Sequence, residues 1–246
     1  MSEPMTPEAE KEPSSALLVG TLTFAGLMSG LLIVGAWQLT LPAITAHKAE
    51  ALQATVFEVV PGAAGIQRLA WDGQTLLAKE APATQQGPAE PVVYGAYDQD
   101  GKLLGYAVPA EGPGFQDTIS LLYGYDPDSK KILGMRVLDS RETPGLGDKI
   151  FKDLAFVGAW VGLPTETVPV IVGKGKKTEA HQVEAISGAT ISSKAVMRII
   201  TTSHAEWTPR LPLRADAPAQ AAPAGAPAPK APDAPAPKAP EAPESP

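Results

Sequence analysis

An uninterrupted apolar run restricts this chain more than any other feature. No Asp, Glu, Lys or Arg occurs from Pro13 to Ala46, and Ala16 to Trp37 reads ALLVGTLTFAGLMSGLLIVGAW. About 20 such residues cross a hydrocarbon core of about 30 Å, and they do so as a helix because no water is present to satisfy an open backbone. Residues 16–37 are therefore predicted to be a transmembrane helix. A cleaved signal peptide has a shorter apolar region of about 7–15 residues and a basic lead-in. Here residues 1–15 carry Lys11 against Glu3, Glu8, Glu10 and Glu12. Trp37 suits the membrane interface, and Gly26 with Gly30 forms a GxxxG face open to a second helix, although glycine facing lipid explains the pair equally well. Lys11 and Lys48 lie on opposite sides of the run, so charge alone leaves its orientation almost balanced.

The rest of the 246-residue chain divides by composition. Residues 1–15 form a polar tail, and residues 38–60 hold helix formers that predict a connecting helix. Residues 61–214, about 150 in number, suffice for one domain with a core of its own. Residues 215–246 alternate Ala and Pro with scattered charges, a composition that buries no core and predicts disorder. A net charge of −7 argues against a nucleic-acid partner, which attracts basic faces. The absence of cysteine excludes disulfides, thiolate zinc sites, Cys-ligated iron–sulfur clusters and thioether-bound haem. His47, His181 and His204 are scattered, and no metal site is predicted from them. Any electron carried by this domain would travel on an organic cofactor.

Within the domain, Val92–Tyr97 and Leu103–Val108 flank Asp98-Gln99-Asp100-Gly101 and read as a β-hairpin. Thr118–Tyr125 and Ile132–Leu138, joined through Asp126-Pro127-Asp128-Ser129, read as a second. Lys149–Trp160 predicts a short helix, Val168–Val172 and Val183–Ile186 predict strands, and Ile191–Trp207 predicts a final helix. Hairpins followed by helices point to an α+β fold with an antiparallel sheet. The basic run Gly173-Lys174-Gly175-Lys176-Lys177 reads as a solvated hairpin turn in preference to a phosphate site, since it lacks the Walker pattern.

Two segments carry candidate chemistry. Ser187-Gly188-Ala189-Thr190 lies between a predicted strand and the final helix, where small residues let backbone approach a ligand and the positive helix end favours an anion. Read alone, Thr190 or Ser192 serves equally as an ordinary N-cap. About 40 residues upstream, Glu142-Thr143-Pro144-Gly145-Leu146-Gly147 forms an apolar-tipped loop that by itself is an ordinary Pro-Gly turn. Phe115, flanked by glycine in Glu111-Gly112-Pro113-Gly114-Phe115, is balanced between a ligand contact and core packing.

Together and in this order, ETPGLG and SGAT resemble the FMN-binding domain shared by the G subunit of Rnf-type electron transport complexes and the C subunit of the Na⁺-translocating NADH:quinone reductase. The continuation Asp148-Lys149-Ile150 is more similar to the Rnf protein. The resemblance implies a redox subunit of an ion-translocating ferredoxin:NAD oxidoreductase, anchored in the cytoplasmic membrane with its flavin domain outside, and without substrate chemistry of its own. It implies FMN joined through its phosphate to Thr190 by a flavin transferase, with Ser187, Gly188 and Ala189 completing the phosphate loop. It further implies Thr143 and Leu146 beside the isoalloxazine, Gly145 and Gly147 shaping the turn, Glu142 orienting it, and other membrane subunits as partners. The alternatives are the quinone-reductase protein itself and a tethered protein that binds flavin without a covalent bond. Glu184 and Asp139-Ser140-Arg141 depart from the family pattern, which commonly has Asp before SGAT and a His-containing lead-in to ETPGLG.

Overall fold

The computed structural model describes residues 14–79 and 91–217. The predicted tail of residues 1–15 lies almost wholly outside the described residues, as does the Ala/Pro-rich segment from residue 218 onward. The chain divides into two compact units after Ala51. The first is occupied by one helix, α1 (Ser15–Val59), whose last residues belong to the second unit. Side chains from Ser15 to Thr45 are exposed, and the helix is long and apolar enough to cross a membrane. It continues through Pro42, so the segments read as a span and a connecting helix form one element.

In the second unit, β1 (Gly65–Trp71), β2 (Leu76–Ala78), β3 (Val92–Tyr97), β4 (Leu103–Pro113), β5 (Thr118–Asp126), β6 (Lys131–Ser140) and β7 (Leu163–Pro164) build an antiparallel sheet in the order β2-β1-β3-β4-β5-β6-β7. The two expected hairpins are β3–β4 and β5–β6. Their turns are held as the sequence suggests. Asp98 Oδ1 accepts from the amides of Asp100 (2.9 Å) and Lys102 (2.8 Å), and Asp126 accepts from the Asp128 amide (3.0 Å) and the Ser129 hydroxyl (2.7 Å).

Period-two alternation gives the sheet two buried faces. Ile119, Leu121, Tyr123 and Tyr125 of β5 enter the main core, while Leu122 joins Val56 and Val59 from the end of α1, and Val60 just after it, on the other face. The main core is closed by α4 (Thr190–Trp207), which buries Val196, Ile199 and Ile200 as its predicted apolar face. The Arg198 guanidinium ties α4 to the Pro113 carbonyl at the end of β4.

The region read as one helix over 149–160 is two, α2 (Lys149–Lys152) and α3 (Leu154–Gly158). Asp153 separates them because its carboxylate caps α3, accepting from the amides of Ala155 (3.0 Å) and Phe156 (3.2 Å). The last two strands, β8 (Val170–Val172) and β9 (Gln182–Glu184), pair in parallel. The basic run after β8 is therefore not a hairpin turn. It begins the connection that returns the chain to start β9 alongside β8.

Candidate functional site

The SGAT segment connects β9 to α4 through a tight turn in which the Ala189 amide donates to the Ile186 carbonyl (3.0 Å). Gly188 adopts φ +80°, a conformation that only glycine takes without steric cost. Ser193, one turn into α4, staples this loop. Its hydroxyl accepts from the Ile186 amide (3.1 Å), donates to the Ala189 carbonyl (2.8 Å) and is fully buried. Ala189 is the N-cap and offers no side-chain acceptor, while Thr190 is the first helical residue and is exposed. Neither Thr190 nor Ser192 caps the helix. The start of α4 thus presents first-turn amides without a side-chain cap next to a free-standing hydroxyl, an arrangement suited to an anion.

ETPGLG follows β6, and Glu142 holds it in place. This carboxylate is 5% exposed. Its Oε1 accepts from the amides of Phe115 (2.8 Å) and Gln116 (3.0 Å), and its Oε2 accepts from the Ser192 hydroxyl (2.7 Å). One side chain therefore joins the loop after β4, the ETPGLG loop and the first turn of α4. Burial pushes the Glu142 carboxyl up, but the bonds from Ser192, Gln116 and Phe115 together outweigh it and hold the group below its ordinary value. Gly147 is needed for this packing, because a Cβ there would lie 2.5 Å from Glu142 Oε2 and 2.9 Å from Ser192 Oγ. The Thr143 hydroxyl donates to Gln116 Oε1 (2.7 Å), a second tie between the same two loops.

These ties carry Leu146 to the SGAT turn. Its Cδ2 lies 3.6 Å from the point where a Cβ on Gly188 would stand, although the two residues are 42 positions apart (188 − 146). Leu146 nevertheless keeps 49% of its surface exposed and Phe115 keeps 63%. Core packing thus does not account for Phe115, whose backbone is fixed by Glu142 while its ring faces outward. Gly145, with φ +78°, stands exposed at the tip of the loop. Thr190, Leu146 and the SGAT backbone are brought together. Glu142 is turned inward and acts on the site through its neighbours.

Sequence reasoning missed Gln116, Ser193 and Lys194, read Ser192 only as a candidate N-cap, and set the basic run holding Lys174 aside as a turn. Lys174 and Lys194 line a cavity of about 280 Å³ that also includes Ser187 and Thr190. The adjacent serines after SGAT are a visible signal, since serine is neutral to unfavourable inside a helix and two in succession call for a reason.

Residues 114–205 match the family model of the FMN-binding domain. The chain is 41% identical over 109 residues to the G subunit of the ion-translocating oxidoreductase complex of Methanosarcina acetivorans, an alignment spanning 44% of this chain and about half (54%) of that protein. It is 31% identical over 149 residues to the G subunit of the corresponding complex of Aliivibrio fischeri, covering 57% of this chain and 69% of that one. The chain belongs to the G-subunit family of ion-translocating oxidoreductase complexes. Within that family it is 28% identical over 177 residues to the G subunit of the proton-translocating ferredoxin:NAD(+) oxidoreductase complex of Clostridium ljungdahlii, covering 72% of this chain and 83% of its relative. The crystal structure of Shewanella oneidensis NqrC is similar over 60% of this chain and 80% of that one, with 24% identity and a TM-score of 0.45.

The residues present fit FMN. An exposed hydroxyl stands at an uncapped helix start for the phosphate, and two outward-facing apolar side chains, Leu146 and Phe115, are available to flank a ring. Leu146→Ala is expected to leave flavin bound while shifting its absorption spectrum and midpoint potential, since it removes apolar contact and nothing else. Unchanged values in a flavin-loaded, folded variant would place this loop away from the ring.

Proposed function

We propose that this chain is the membrane-anchored electron-carrying subunit of an Rnf-type ferredoxin:NAD oxidoreductase complex, holding FMN in phosphoester linkage to Thr190. The observation that carries the reading is the exposed Thr190 at the uncapped start of α4, with the ETPGLG loop clamped against the same turn by Glu142 and Ser192. The cofactor supplies the redox chemistry, and the protein supplies its position and electrostatic surroundings. Thr190 contributes the oxygen of the ester. Its Oγ would bond to phosphorus and give up its proton as a phosphorus–oxygen bond of the donor breaks and a phosphate monoester leaves. Expelling hydroxide from FMN in water is unfavourable, so the donor carries the flavin phosphate as a diphosphate, and a flavin transferase presents it. The apolar flank from Leu146 and Phe115 orients the ring, and Glu142 keeps that flank in register with the attachment point. The protein relays electrons among membrane partners and transforms no substrate of its own.

Residues 16–37 serve as the membrane span, residues 1–15 lie on the cytoplasmic side and residues 61–214 form the flavin domain outside. A membrane location follows from the apolar helix and the G-subunit family. The orientation is supported by the ease of exporting a long domain behind a single N-terminal span and by the lack of cysteine. Alkaline phosphatase and green fluorescent protein fused separately after Leu213 are expected to give an active phosphatase and a dark fluorescent protein. The reverse pattern would place the domain in the cytoplasm. Intact-mass spectra of protein made with and without the flavin transferase test the linkage. A mass increase that depends on the transferase and matches one esterified FMN is expected, and equal masses would overturn the covalent reading.

A further inference from the structure

The cavity of about 280 Å³ beside Thr190 is lined by neither Leu146 nor Phe115, the two side chains proposed to flank the ring. It falls just below the range of about 300–1,000 Å³ typical of small-molecule sites, so it suits part of a ligand better than a whole flavin nucleotide. Its walls come from the end of β8 and from the turn into α4. Two ammonium-bearing side chains line it, Lys174 on the basic loop and Lys194 on α4. Lys194 follows Thr190 by four residues, which places both on one helical face. Among the described residues neither lysine forms an ion pair, although the chain carries a net charge of −7 and offers more carboxylates than cations. The hydroxyl residues Ser187 and Thr190 also line the cavity.

The position of Lys174 is not left to a free loop. Glu184 Oε1 accepts from the Gly175 amide at 3.0 Å, fixing the residue next to Lys174 against the strand that leads into SGAT. The acidic residue ahead of the motif thus acts on the cavity through the basic run.

We propose that this cavity is a seat for phosphate-ester anions, with Lys174 and Lys194 as its cations and Glu184 as the positioning residue that keeps Lys174 on its rim. The proposal rests on Thr190 as the attachment point for its biological meaning, but the seat exists whether or not the ester forms. The anion has two sources, the phosphodiester of attached flavin and the diphosphate of the incoming donor.

The test is calorimetric titration of the full chain in detergent, made without the transferase, using inorganic pyrophosphate as probe. Saturable binding is expected. Lys174→Gln combined with Lys194→Gln should weaken it at least tenfold, while Lys176→Gln combined with Lys177→Gln, on the same loop but outside the cavity, should change it less than twofold. Glu184→Ala should weaken binding severalfold and Glu184→Gln, which keeps an acceptor for the Gly175 amide, should restore it. Tighter binding in Glu184→Ala would show that the carboxylate acts by charge alone and would overturn its positioning role. No saturable binding, or equal losses from both lysine pairs, would overturn the seat. Titrating the flavin-labelled chain separates the sources: loss of pyrophosphate binding there assigns the seat to the attached phosphodiester, and retained binding assigns it to the donor's diphosphate. Since the probe needs no flavin, failure of the seat is distinct from failure of the linkage, which the mass spectra read independently.

Discussion

Replacing Thr190 with Ala is expected to abolish flavin fluorescence in a denaturing gel while leaving the domain folded. The substitution removes the only atom proposed to bond to phosphorus. The hydroxyl makes no capping bond, because Ala189 occupies the N-cap and Ser193 staples the turn, so stability should change by no more than about 0.5 kcal/mol, as for a surface substitution. Labelling is thus expected to fall to background with a nearly constant melting temperature. Thr190→Ser keeps the oxygen and is expected to retain partial labelling. Persistent fluorescence in Thr190→Ala would sink the assignment of the linkage. Loss of labelling together with a collapsed melting temperature would mean that Thr190 matters to the fold instead.

Glu142→Ala should produce the largest loss of stability among the site residues. It strands two backbone amides and the buried Ser192 hydroxyl without their common acceptor. Hydrogen bonds to a charged group contribute about 1.5–3 kcal/mol each, with losses that overlap, so a total of about 3 kcal/mol is expected. For a domain of this size that corresponds to a fall of about 6–12 °C in melting temperature. Glu142→Gln keeps one acceptor oxygen and should cost less. The pH dependence has a definite sign. The folded pKa of Glu142 lies below its ordinary value of 4.5, so its contribution is complete above that value and is lost as pH falls through the folded pKa. Wild type should therefore lose stability more steeply than Glu142→Gln on acidification below about pH 4.5. Parallel curves would show that the carboxylate's charge contributes nothing to holding the loops.

Several elements are legible in the sequence because they are local. The apolar run from residue 16 to 37 needs only the chemistry of its side chains to be read as a helix able to span a membrane. The β3–β4 and β5–β6 hairpins announce themselves through Asp-rich turns whose carboxylates bond to amides two to four residues on. The apolar face of α4 follows from helical spacing. β1 escapes such a reading because Gln67 and Arg68 interrupt any alternation, and only pairing with β2 and β3 on either side makes that segment a strand. β7 is two residues long and exists through its pairing with β6.

ETPGLG and SGAT are each visible in the sequence, and each alone is an ordinary turn. What only the tertiary structure decided is that they meet. A carboxylate at position 142 and a hydroxyl at position 192 find each other across 50 residues because the sheet and α4 bring their segments together, and burial then makes their bond expensive to lose. The basic run misleads for the same reason. Its charge is a property of sequence, but the placement of Lys174 beside Lys194 depends on the parallel pairing of β8 with β9 and on the bond from the Gly175 amide to Glu184, contacts that no local pattern encodes.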